Sequence, residues 1–221
     1  MSSVRAVLFD LDGTFADTAA DLARALNRVR ALRGLAPLAP EVARPHTSAG
    51  ARGLLKAGFG VAPEDDGYPA LRDRFLEFYE EELCVDTRLF DGIPELLARI
   101  RIRKLPWGIV TNKGKRFSEP LLRQLAVDHL AACIVSGDST PHIKPHPAPL
   151  LLAASLLSVA TADCIYIGDD LRDVQAARAA GMRIAVAGWG YLGAGQDPRN
   201  WDADAVISHP LQVLDLLETA A

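Results

Sequence analysis

The sequence predicts an α/β protein built on a parallel sheet, with a helical segment inserted after the first strand. Three observations lead there. Six short apolar runs recur along the chain, each closed by a polar or glycine turn. Helical patterns lie between most of them. One stretch, residues 17–86, breaks that rhythm and reads as helices without strands. With 221 residues, 49% of them hydrophobic, the chain can bury a full core.

The strands are expected at 4–9, 107–110, 133–135, 164–167, 183–187 and 205–207. Runs of this length that are apolar on both faces suit strands covered on both sides. Helices are expected at 94–102, 120–125, 149–157, 171–180 and 210–217. Several begin at a proline, which a first helical turn tolerates. Gly181 follows the fourth as a C-cap. In the inserted stretch, Asp17 can cap a helix whose apolar stripe is Leu22, Leu26, Val29 and Leu32, ending at Gly34. A small-residue loop is expected at 47–52, and a second long helix at 68–83, with Leu71, Phe75, Phe78 and Tyr79 on one side. Trp107 is expected to pack at a strand start. The glycine-rich segment 188–195 reads as a loop, since no Lys-Ser or Lys-Thr follows its glycines as a nucleotide cradle requires.

Four segments carry chemistry, each after a strand. In the first, Asp10 and Asp12 sit two apart where a buried strand ends, followed by Gly13 and Thr14. One acid can attack, the other can move a proton, and both can hold a metal; Gly13 supplies the turn and Thr14 a hydroxyl. The second, Thr111, Asn112 and Lys113, offers a hydroxyl, an amide and a cation to an anion. The third is Lys144 beside Pro145 and Pro147, whose rings stiffen its loop. The fourth is Asp169, Asp170 and Asp173, hard carboxylates of the kind magnesium prefers. A polar turn, a surface lysine or a helix cap would account for any one of them. All four together bring acids, anion donors and a lysine to one sheet edge, where ligands bind in such folds.

Composition narrows the partners. The net charge is -4 with mixed signs, so neither nucleic acid nor an anionic membrane is expected. No run approaches the roughly 18 apolar residues of a membrane helix. The first apolar run is too short for a signal peptide, and a cytoplasmic protein is expected. Three cysteines, an odd number without repeated spacing, fit reduced thiols rather than disulfides or a zinc site. A monomer or small homo-oligomer fits this composition.

The four segments resemble the four motifs of the haloacid dehalogenase superfamily over essentially the whole chain. The resemblance implies a Rossmann-like three-layer core of residues 1–16 and 87–221, with a helical C1 cap at 17–86. It implies a magnesium-dependent phosphatase acting on a small-molecule phosphate ester through an aspartyl-phosphate. Asp10 would attack phosphorus and Asp12 would protonate the leaving oxygen. Thr111 and Asn112 would orient phosphate oxygens, with Gly13, Thr14 and Lys113 beside them, and Lys144 would balance charge. Asp169 would join Asp10 and the Asp12 carbonyl on the metal, and Asp170 and Asp173 would reach the metal or hold Lys144. An acid at position 12 argues for phosphate esters, since an alkoxide needs a proton and a halide does not. Segments 90–97 and 110–113 resemble the phosphoglycolate phosphatase branch, which makes a phosphoglycolate phosphatase-like activity the leading expectation and an N-acetylmuramate 6-phosphate phosphatase the alternative. Segments 116–121 and 168–173, with Asn200-Trp201 and His209-Pro210, are similar to N-acetylmuramate 6-phosphate phosphatases. Arg52, in the 47–52 loop, is the candidate reader of a substrate carboxylate. A sugar phosphomutase and a receiver-like signalling module share parts of this acid pattern.

Overall fold

The computed structural model describes residues 3–193 and 197–218. The chain runs β1 (Ala6–Phe9), β2 (Ala16–Asp17), α1 (Ala19–Leu32), α2 (Pro40–Ala43), α3 (Gly50–Phe59), α4 (Tyr68–Glu81), β3 (Arg88–Leu89), α5 (Ile93–Ile102), β4 (Trp107–Val110), α6 (Lys115–Gln124), β5 (Cys133–Val135), α7 (Ala148–Leu157), β6 (Cys164–Gly168), α8 (Leu171–Ala180), β7 (Arg183–Ala187), β8 (Ala205–Ile207) and α9 (Val213–Glu218).

Six strands form one parallel sheet in the order β5-β4-β1-β6-β7-β8. Alternation along β1 explains why its run is apolar throughout. Val7 and Phe9 join a buried cluster with α5, α6 and α9, whereas Ala6 and Leu8 join another with α7 and α8. The result is the three-layer α/β arrangement expected. From β1 the chain proceeds to β4 and β5 on one side, then to β6, β7 and β8 on the other. That reversal is a topological switch point, and it opens a crevice outside the carboxyl end of β1. Phe9, Phe15 and Trp107 pack ring against ring just below, with centroids 5.4–6.3 Å apart.

The inserted helices share a buried cluster of Leu22, Leu26, Val29, Leu54, Leu55, Leu71, Phe75 and Tyr79. Three details differ from expectation. Leu32 is 65% exposed, because 100° per residue turns it roughly 80° away from Leu22. The 47–52 loop is instead a 3₁₀ turn, Arg44–Ala49, leading into α3. Gly50, Gly53 and Gly58 disguise that helix by lowering its propensity, yet a Cβ on Gly53 would stand 2.4 Å from the His46 carbonyl oxygen. Helix α6 starts five residues before the expected 120 and carries Pro120 inside, which costs one helical hydrogen bond to the Arg116 carbonyl. A short antiparallel pair, β2 with β3, joins the points where the chain leaves and re-enters the sheet layer. Among the described residues, no helix is long and apolar enough to cross a membrane.

Candidate active site

Asp10 leaves the end of β1 at the switch point, Thr111 the end of β4, and Asp169 the end of β6. The turn after β1 is tight. Gly13 has φ +87°, and a Cβ there would lie 2.3 Å from Asp169 Oδ2. Gly13→Ala is therefore expected to cost about 1–3 kcal/mol of stability, read from urea midpoints. An unchanged midpoint would show that the turn relaxes freely.

One carboxylate oxygen from each of Asp10, Asp169 and Asp173 lies within 4.8 Å of the others. Lys144 is the cation among them, with Nζ 2.9 Å from Asp10 Oδ1 and 2.7 Å from Asp173 Oδ1. Burial pushes the Asp10 carboxyl up to about 7, against the pull of Lys144. Burial, together with Asp10 and Asp173, pushes Asp169 well above the usual carboxylate range. Burial opposes the charge on Lys144, but Asp10 and Asp173 hold its pKa above the ordinary value. One buried ammonium thus pairs with two of three clustered acids, a deficit that a divalent cation would fill. Asp10 Oδ1 has Lys144 as its cation, and the hard oxygens of the three clustered carboxylates are the donor set such an ion takes.

The acids are not equivalent. Asp173 Oδ2 accepts the N–H groups of Asp169 and Asp170, each at 3.1 Å, and Oδ1 also faces the Tyr166 hydroxyl at 3.3 Å. Its carboxylate is spent on Lys144 and the loop. Asp170 is turned out of the cluster: it caps α8 and pairs with Arg172 at 2.7 Å. Asp169 keeps a central place, accepting from Thr14 Oγ1, Tyr191 N and Ser48 Oγ. Asp12 looks elsewhere: its Oδ1 is 3.0 Å from Lys113 Nζ and accepts Thr18 Oγ1 at 2.6 Å.

Two residues are engaged differently from expectation. The Asn112 side chain donates to the Lys144 carbonyl and accepts the Lys144 N–H, both at 2.9 Å, so it clamps the lysine loop rather than facing an anion. The Thr14 hydroxyl is directed to Asp169, not outward. Thr111 Oγ1 accepts from Lys113 N, which leaves its O–H to donate. Burial opposes the Lys113 charge, but Asp12 and Tyr79 hold its pKa above the usual value.

A cavity of 730 Å³ lies between these residues and the inserted helices. Arg52 and Arg72 stand on its helical side, and Leu22, Phe75, Leu76 and Phe117 give it an apolar wall. Arg52 is exposed and carries no ion pair among the described residues. Sequence reasoning missed Tyr191 and Tyr166. The Tyr191 N–H donates to Asp169 and its hydroxyl donates to Asp17, from the segment read as a plain loop; residues 194 and 195 of that segment lie outside the described residues. Tyr166, inside β6, meets Lys144 Nζ at 2.7 Å. Neither carries a signal beyond an aromatic, Tyr166 in an apolar run and Tyr191 in a glycine-rich loop.

The model of the family described as haloacid dehalogenase-like hydrolase matches residues 7–187. An N-acetylmuramic acid 6-phosphate phosphatase of Pseudomonas putida is 42% identical over 217 residues, covering 98% of this chain and 97% of that protein. A phosphoglycolate phosphatase of Xanthomonas campestris pv. campestris is 41% identical, covering 95% and 94%. Among solved structures, a predicted phosphoglycolate phosphatase from Haemophilus somnus superposes with a TM-score of 0.86 at 25% identity, covering 98% of this chain and 99% of that one.

Proposed function

The chain belongs to the haloacid dehalogenase-like hydrolase family and is a phosphoric monoester hydrolase, and from that premise we propose that Asp10 is its nucleophile and Asp12 its proton carrier. The observation that carries this reading is the different company of two acids only two residues apart. Asp10 faces Lys144 and the acid cluster, while Asp12 faces Lys113 and Thr18. Asp10 attacks phosphorus and the ester P–O bond breaks, its electron pair passing to the leaving oxygen. Asp12 gives that oxygen a proton, and the alcohol departs. Water then attacks the aspartyl-phosphate, Asp12 takes its proton, Asp10 is restored and inorganic phosphate leaves.

Magnesium fits Asp10 and Asp169 with the Asp12 carbonyl, since it is a hard cation that needs few carboxylates. When bound it supplies positive charge to the phosphoryl oxygens. Lys144 holds Asp10, Asp173 and Asn112 hold Lys144, and Thr111 offers its O–H to a phosphoryl oxygen. Residues 17–86 act as a cap over a core of 1–16 and 87–221, keeping bulk water from the aspartyl-phosphate.

The substrate we favour is a carboxylated sugar phosphate, as in the name of the Pseudomonas putida relative. The 730 Å³ cavity lies in the upper part of the usual range for ligand sites and is large for a two-carbon acid. Its apolar wall suits a sugar ring with substituents, and its arginines suit a carboxylate. 2-Phosphoglycolate is the second reading, favoured by the Xanthomonas campestris relative. Phosphate release from both esters, with magnesium or with EDTA, tests the reading. Rapid magnesium-dependent turnover of N-acetylmuramate 6-phosphate supports it, and turnover indifferent to EDTA would end the metal assignment. Arg52→Ala is expected to raise KM for the preferred ester about 10- to 100-fold, the worth of one charge-assisted hydrogen bond. An unchanged KM would remove Arg52 from substrate recognition.

A further inference from the structure

Helix α4 brings one aromatic ring to the Asp12 end of the site. Tyr79 is buried, and Lys113 Nζ stands 4.6 Å from its ring centroid. The same Nζ is 3.0 Å from Asp12 Oδ1, and neither side chain is more than 16% exposed. The ring is itself held. It stacks on Phe75 of its own helix at 6.4 Å and tilts against Phe117 of α6 at 5.7 Å. The Lys113 backbone is also fixed, donating to Thr111 Oγ1 at 3.1 Å and accepting from Gly137 N at 2.9 Å. What the backbone leaves free is the long flexible stem of the lysine. A cation over an aromatic face is attracted by the ring, most strongly where water is excluded. The Tyr79 hydroxyl also stands on the Lys113 side of the ring, so removing the hydroxyl alone separates its part from that of the ring.

We propose that Tyr79 is a positioning residue whose ring pins the Lys113 ammonium against Asp12 and so aims that carboxyl group at the leaving oxygen. The inference rests on Asp12 being the proton donor. When Asp12 gives up its proton it becomes a carboxylate facing an ammonium already in place. If the ring is lost, Lys113 swings into the cavity and Asp12 keeps Thr18 as its anchor among the described residues.

Leaving-group chemistry separates this role from a structural one. An alkyl ester needs a proton on its departing oxygen, whereas p-nitrophenolate leaves without one. The measurement is kcat/KM, which stops at release of the alcohol, for 2-phosphoglycolate, N-acetylmuramate 6-phosphate and p-nitrophenyl phosphate. Tyr79→Leu is expected to lose about 30-fold or more on whichever alkyl ester the wild type turns over and less than about threefold on the aryl ester. Tyr79→Phe, which keeps the ring, should recover the alkyl ester activity. Thermal melting checks that each variant folds, and Tyr79→Met replaces the leucine variant if that one does not. Equal losses on both kinds of ester, no loss, or no recovery with phenylalanine would each overturn the proposal. Asp12→Asn runs beside them. If it too loses both kinds of ester equally, the proton-donor reading of Asp12 is at fault. If it spares the aryl ester while Tyr79→Leu does not, only the role of Tyr79 falls.

Discussion

Asp10→Asn is expected to abolish phosphate release, by a factor on the order of 10⁴ or more, and at the same time to raise the melting temperature of the metal-free protein at pH 8. The first effect follows from chemistry, since an amide cannot form the aspartyl-phosphate. The second follows from burial. In an unfolded chain this carboxyl ionises near pH 4, but in the fold it is pushed up to about 7. Folding is therefore unaffected by the group at low pH. It is weakened progressively as pH rises through that window, and the full penalty holds above it. An amide of the same shape escapes the penalty, while Lys144 keeps Asp173 as its partner. Adding magnesium should then raise the melting temperature of the wild type more than that of the variant, because a ligand stabilises the state that binds it. Melts at pH 5 and pH 8, with and without magnesium, check all of this. Equal magnesium shifts in the two proteins would mean that Asp10 is not a ligand, and a variant no more stable than the wild type at pH 8 would mean that the acid cluster is not strained.

The strand edge was legible because a single rule governed it. Each of the runs ending at Phe9, Val110 and Ile167 is apolar on both faces, and the residue that faces the cavity or its acid cluster follows at once after the first two and after one glycine, Gly168, in the third. Burial on both sides of a sheet leaves no room for polar residues, so the first acid after such a run stands out. Side-chain direction was not legible in the same way. Asn112 and Thr111 are neighbours with similar polarity, yet one clamps the Lys144 backbone and the other keeps its hydroxyl available. The difference depends on where the Lys144 loop passes, which no local pattern encodes. Asp170 and Asp173 posed the same difficulty. Three residues along a helix start separate an acid that caps the helix and holds Arg172 from one that holds Lys144.

The inserted helices were harder to read than the sheet. Helix α3 was hidden by its three glycines, although Gly53 is there because the chain passes too close for a side chain. Long-range partners such as Tyr191 with Asp169, 22 residues away, leave no periodic trace at all. Locally consistent choices were recovered from the sequence, and those made by close approach between distant segments were not.

Lys144→Met should be the most damaging change to stability in the site, and its cost should depend on pH. Nζ lies 2.9 Å from Asp10, 2.7 Å from Asp173, 2.7 Å from the Tyr166 hydroxyl and 3.1 Å from the Val110 carbonyl, and the lysine side chain is only 2% exposed. Methionine fills the volume and removes the charge. Three clustered acids are then left without a cation, which costs about 3–5 kcal/mol for a broken buried pair, and turnover should fall about 10²- to 10³-fold or more with the loss of charge stabilisation. Near pH 5, Asp10 and Asp169, whose carboxyls burial already holds high, take up protons and the repulsion eases. At pH 8 Asp10 lies above its own pKa and presses toward ionisation beside the other acids, and the variant should lie furthest below the wild type. Urea midpoints of the two proteins at the two pH values measure this directly. A gap that widens with pH makes Lys144 the charge that allows these acids to be buried together, whereas a gap of equal size at both would assign its contribution to packing and hydrogen bonding to Tyr166 and Val110.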